Sequence, residues 1–223
     1  MPAVSFIEQT TLDNSALLLI DHQVGTNFIN GAQTDLELRN AIRALIKSAK
    51  NYNIPTLITE SVPRGSNGNT TNWITQLYPE HEVYHRDSAI DAFAYEPFAD
   101  AVAALGRKKL IITGGTGEDF GIFPGRSALR LGYDVVYAYD AAGAVDKLSM
   151  IATMLRMQQM GVIVAPWHAI AADWQKDWSR SGGLGLGKIF SDHLVQHADL
   201  AQTQKAHQAA GGTDEMLTND RVT

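Results

Sequence analysis

Ser15-Ala16-Leu17-Leu18-Leu19-Ile20, with Asp21 directly after it, is the stretch on which the fold turns. It is an unbroken apolar run of strand length, the kind buried on both faces of a parallel sheet. Outward from it, short apolar runs alternate with segments of helical period. Asp35 to Lys50 reads as a helix with Leu36, Leu38, Ile42, Leu45, Ile46 and Ala49 on one face. Glu37, Arg39, Arg43 and Lys47 fall largely outside that face. Pro55 to Glu60 reads as a second strand, and Glu82-Val83-Tyr84 as a short edge strand. The Gly/Asn/Ser/Pro-rich stretch from Pro63 to Thr71 is a loop long enough to belong to a site. Pro97 to Leu105 is predicted helical, and Lys109 to Gly114 is a further strand followed by a glycine-rich turn and a helix around Ser127 to Leu131. Asp134 to Tyr139 and Gly161 to Ala165 are two more strands, with a helix from about Lys147 to Met160 between them.

Repeated strand–helix alternation implies parallel βαβ units with right-handed crossovers, hence a three-layer α/β/α domain. Its natural form is a mostly parallel six-stranded sheet in the order 3-2-1-4-5-6, with ligands expected beyond the carboxyl ends of strands 1 and 4. That topology brings Asp21 near the turn from Gly115 to Phe120. Residues 1–200 are assigned to one domain. Residues 201–223 form a polar tail, either a frayed end or an arm on a neighbouring subunit.

The composition excludes several classes of function. The chain has 223 residues, 45% hydrophobic and 19% charged, enough to bury a sizeable core. A net charge of −6 argues against nucleic acid or an anionic membrane as the main partner. No long apolar run suggests a membrane span, and the first residues carry no signal-peptide pattern, so a cytoplasmic protein is expected. There is no cysteine, which removes disulfides, thiolate metal sites and thiol catalysis together.

Ala16 to Ile20 with Asp21-His22-Gln23 resembles the strand and Asp-x-Gln signature of the isochorismatase-like cysteine hydrolases. Leu110 to Gly114, then Glu118, Phe123-Pro124 and Ser127-Ala128, resembles the nucleophile turn of the YcaC-like branch of that superfamily. Gly132 to Val135, Asp140-Ala141 and the Trp178-to-His193 stretch continue the likeness in order along nearly the whole chain. The resemblance implies hydrolase chemistry on a small molecule by an Asp–Lys–Cys triad, with no cofactor and with assembly into a symmetric homo-oligomer. Asp21 matches the proton acceptor. Read without the family, it is a candidate general base or else a helix-capping or loop carboxylate. The cation position falls on Arg86, which can clamp a carboxylate or steady an oxyanion, or simply brace the sheet through an ion pair.

The cysteine position lands on Phe120, whose ring has no nucleophilic atom. Asp119 and Gly121 flank it, so a one-residue shift does not restore a nucleophile. Three routes follow: proton transfer by Asp21, as in isochorismatases that cleave a vinyl ether without a thiol; attack by water that Asp21 activates; or loss of catalysis, leaving a small-molecule binder or oligomeric scaffold. Gln23, Phe28, Gly115, Thr116, Glu118 and Asp119 are the candidate substrate contacts around these groups. Trp73, Phe93 and Trp167 are further aromatic candidates, and Trp174 to His193 is a candidate subunit interface. The likeness also implies a cis peptide at Gly115–Thr116, beside amides that could form an oxyanion hole. The Gly-Gly-Thr-Gly run lacks the endings and spacing of nucleotide-binding loops. No metal site is expected: nicotinamidase relatives place histidines after strand 2, where this chain has Glu60-Ser61-Val62-Pro63-Arg64. His22 and His85 read as hydrogen-bonded structural residues more readily than as ligands.

Overall fold

The structure, a computed structural model, describes residues 9–211. Six strands form one sheet: β1 Ser15–Ile20, β2 Thr56–Ser61, β3 Val83–Arg86, β4 Lys109–Gly114, β5 Asp134–Ala138 and β6 Ile163–Ala165. The order is β3-β2-β1-β4-β5-β6 and every strand pairing is parallel. The helices are α1 Val24–Ile29, α2 Asp35–Asn51, α3 Asn72–Leu77, α4 Glu96–Ala104 and α5 Gly117–Phe120, then α6 Ile122–Arg130, α7 Lys147–Gln159, α8 Trp167–Gln175, α9 Gly183–His193 and α10 Val195–Ala209. The architecture is the three-layer α/β/α fold expected from the alternation of elements.

β1 is buried at all six positions. Its side chains divide between two cores. Leu17 and Leu19 join α2, α8 and α9 on one face; Ala16, Leu18 and Ile20 join Phe98, Phe120, Tyr137 and Met157 on the other. β4 divides the same way, with Ile111 in the first core and Leu110 and Ile112 in the second. Burial on both faces explains why neither strand alternates polar with apolar residues.

α2 begins with a capping box in which Glu37 N–H donates to Thr34 Oγ1 (3.2 Å) and Thr34 N–H donates to Glu37 Oε2 (2.8 Å). Leu38, Ile42, Leu45, Ile46 and Ala49 of α2 are buried, but Leu36 is 78% exposed. Two residues along a helix is a turn of about 200°, so Leu36 lies opposite the face that Leu38 occupies. Trp174, within the segment expected to form an interface, is instead core: its indole N–H donates to Ser15 Oγ at 2.9 Å and ties α8 to β1. The boundary placed at residue 200 falls inside α10, which continues to Ala209, and the tail from Gly212 to Thr223 lies outside the described residues.

Candidate active site

β1 and β4 run side by side to the point where the strand order reverses, with Ile20 opposite Gly114. Asp21 leaves β1 in the left-handed region (φ 52°), rare for a residue with a side chain, and is fully buried. The strand exit is held by backbone and hydroxyl bonds. Asp21 N–H donates to Thr59 O (2.8 Å), Thr26 Oγ1 donates to Asp21 O (2.6 Å), and Gly115 N–H donates to Ile20 O (3.0 Å). A Cβ at Gly115 would stand 2.2 Å from Asp21 O, so glycine is what allows the two strand ends to meet.

The Asp21 carboxylate is clamped from β3. Arg86 Nη1 donates to Oδ1 and Nη2 to Oδ2, each at 2.8 Å. This bidentate geometry combines charge with directed hydrogen bonds. Arg86 is itself buried, with Nη1 also donating to Thr59 Oγ1 (2.7 Å) and Nε to Ala89 O (3.2 Å). Ser61 Oγ donates a short bond to Asp21 Oδ2 and accepts one from Asn67 Nδ2 at 3.1 Å. Burial pushes the Asp21 carboxyl above its ordinary range, and the charge and hydrogen bonds of Arg86, then the Ser61 hydroxyl, pull the other way. A carboxyl so raised keeps its proton to higher pH, the property a proton donor needs.

Strand alternation sets which side chains join this cluster. Thr59 and Ser61 share a face with Leu57, and Arg86 shares one with Tyr84; Leu57 and Tyr84 both pack on the core that contains Phe120. Phe120 is 8% exposed and packs over Gly114, where a Cβ would come within 2.7 Å of its own Cβ. The structure thus puts Asp21, Arg86 and Phe120 on one side of the sheet.

The other candidates have varied positions. Gln23 is buried and stitches the strand exit to β2: its Nε2 donates to Ser61 O (2.7 Å) and its Oε1 accepts from Ser61 N–H (3.0 Å). Thr116 is buried, with its hydroxyl 3.5 Å from Asp119 Oδ2, and Asp119 is exposed. Glu118 Oε1 accepts from Val145 N–H at 3.0 Å, while its buried Oε2 has no partner among the described residues. Phe28 is 85% exposed on α1 and lines a cavity with Trp73, away from the carboxylate clamp. Trp167 is buried against Phe190, with ring centroids 5.4 Å apart. Phe93 packs on Phe98, with centroids 6.0 Å apart.

The turn after β4 departs from two expectations. No cis peptide occurs among the described residues, so Gly115–Thr116 is trans. The amides of Gly115 and Gly117 are taken by Ile20 O and by Gly143 O (2.8 Å), so sheet pairing and loop packing leave neither as a free oxyanion donor.

His22 is buried, 3.3 Å from Thr113 Oγ1, and burial lowers its pKa to about 3, which keeps the ring neutral. His85 Nδ1 lies 2.7 Å from Glu60 Oε1. Among the described residues no group of three or more His, Asp or Glu is placed to hold a metal. Sequence reasoning missed Thr59 and Ser61. The signal was present as two hydroxyls spaced by two at the end of a buried strand, so that both face one way.

Comparison with known proteins shows the family and the fold. The Isochorismatase domain family model matches residues 15–169. A protein of Escherichia coli (strain K12) named "Probable hydrolase YcaC" is 32% identical over 189 residues, covering 84% of this chain and 90% of that protein. The structure of YcaC from Pseudomonas aeruginosa with hexane-2,5-diol and covalent acrylamide matches with a TM-score of 0.86 and 30% identity, covering 89% of this chain and 98% of that one. The Escherichia coli YcaC gene product, described as an octameric hydrolase of unknown specificity, matches with a TM-score of 0.85 and 31% identity over 89% of this chain and 97% of that one. The chain belongs to the isochorismatase family, in its YcaC-like branch.

Proposed function

We propose that this chain is a hydrolase of that family that works without a protein thiol, by proton transfer from Asp21 or by water that Asp21 activates, on a small molecule. The observation that carries the reading is the Asp21 carboxylate at the sheet switch point, buried, held bidentately by Arg86 and bonded to Ser61. The reading takes Phe120 as the position of the family cysteine, by the spacing from Gly114 and from Phe123-Pro124, and the chain has no cysteine at all. Arg86 cannot readily pass a proton, so its part is to orient Asp21 and balance its charge. A vinyl ether such as isochorismate suits a carboxyl donor, and an activated ester or lactone suits water attack better than an amide does.

The test is a panel of isochorismate, vinyl ethers, activated esters and lactones in ¹⁸O water. Turnover with label in the product and an unmodified enzyme mass is expected. A covalent acyl-enzyme, or no turnover across the panel, overturns the reading.

A second reading, a catalytically inactive binder or scaffold, is favoured by one observation: Phe120, which we take as the family's nucleophile position, is packed into the core. Asp21→Ala with unchanged ligand binding and assembly would favour it. For either reading we propose a cytoplasmic homo-oligomer. Leu148, Ile151 and Leu155 line one side of α7 and are 75%, 48% and 55% exposed, a stripe of the kind that a second copy covers. The octameric description of the Escherichia coli relative supports the same assignment.

A further inference from the structure

The same end of the sheet carries a second buried carboxylate on the opposite face. Glu60 alternates with Thr59 and Ser61 along β2, so it points away from Asp21, toward the side that holds Ile58. It is 2% exposed, and its Oε2 accepts from Thr70 N–H (2.6 Å) and Thr70 Oγ1 (2.8 Å). Its Oε1 takes His85 Nδ1 at 2.7 Å. A carboxylate accepts and cannot donate, so Nδ1 carries the hydrogen, and the tautomer this selects has its lone pair on Nε2. No hydrogen bond among the described residues engages Nε2.

Glu60 and His85 line a cavity of about 590 Å³ with Val62, Pro63, Arg64 and Asn69. That volume is within the range of small-ligand sites. An imidazole oriented by a buried carboxylate, with its other nitrogen free beside a cavity, is the base-and-orienter half of a hydrolytic constellation. Val62 and Pro63 offer a short apolar wall, and Arg64 offers hydrogen-bond donors for a developing negative charge.

We infer that this cavity is a second site, in which His85, oriented by Glu60, acts as general base toward water on a small ester. Water gives a proton to Nε2 as its oxygen bonds to the acyl carbon, and the carbonyl electron pair moves onto oxygen beside Arg64. Collapse breaks the bond to the leaving oxygen, which departs with the proton from the imidazolium. An acid and an alcohol result, with no other reactant consumed.

p-Nitrophenyl acetate hydrolysis by the full chain tests this. Wild type exceeds free imidazole at equal concentration, His85→Gln falls by about 100-fold, and His207→Gln, on exposed α10, is unchanged. Glu60→Gln lowers kcat at unchanged KM, and Arg64→Gln, at an exposed position, lowers kcat with the melting temperature unaltered. A wild-type rate no greater than that of imidazole, an active His85→Gln, or an equal loss in His207→Gln overturns the inference. So does loss in Asp21→Asn with His85→Gln still active, which would assign the reaction to the other face.

Discussion

Two buried carboxylates, Asp21 and Glu60, stand at the same edge of one sheet and are handled in opposite ways. Asp21 is neutralised by a guanidinium that is itself buried, and Ser61 and Thr59 complete the cluster. Glu60 is held by two bonds from Thr70 and one from an exposed histidine at a cavity. Glu60 is paired outward and leaves a ring nitrogen free; Asp21 is paired inward, with a guanidinium whose remaining bonds go to Thr59 and Ala89. The two carboxylates would therefore act differently: Asp21 through its own oxygens, Glu60 through the histidine that it orients.

The largest effect should come from breaking the Asp21 cluster. Arg86→Ala strands a buried charge and is expected to cost about 3–5 kcal/mol, against about 1–3 kcal/mol for His85→Ala, which removes one bond to the buried Glu60 carboxylate. Urea unfolding of the two variants side by side checks this, and equal losses would erase the contrast. Gly115→Ala drives a methyl into Asp21 O and should cost about 1–3 kcal/mol or more, read in the same way.

The pH dependence tests the burial beside the clamp. His22 has a folded pKa of about 3 against 6.5 unfolded, so the unfolded chain binds the extra proton between those values. Stability from His22 is complete above pH 6.5 and declines as pH falls, by at most about 1.4 kcal/mol per pH unit. The difference between wild type and His22→Gln should show that slope, and a flat difference would contradict it. The smallest effect on folding is expected from Leu148→Lys, within about 0.5 kcal/mol, although size-exclusion chromatography should show a smaller assembly.

Much of this was legible in the chain. The apolar runs of β1 and β4 give the parallel sheet because double-face burial leaves polar residues only toward the strand ends, and Asp21 stands out as the first charge after the β1 run. The family likeness gave Arg86 the cation position, and an ion pair with Asp21 or Asp87 was the structural alternative for it. The hydroxyls of Thr59 and Ser61 and the Glu60–His85 pair were not read, because their meaning depends on strand alternation and on the β2–β3 register, which is a tertiary fact. α1 and α3 were missed because six residues are too few to show a helical period. Leu36 was misplaced because its apolar character outweighed its angle on the helix.

The most direct test of the central claim is the turnover of the Asp21 and Asp21→Asn enzymes, both carrying His85→Gln so that the second site is silent, on whichever panel substrate the Asp21 enzyme hydrolyses. Loss of kcat/KM by about 100-fold or more, with the variant still folded, is the predicted result. An Asp21→Asn enzyme as active as the Asp21 enzyme would contradict the account.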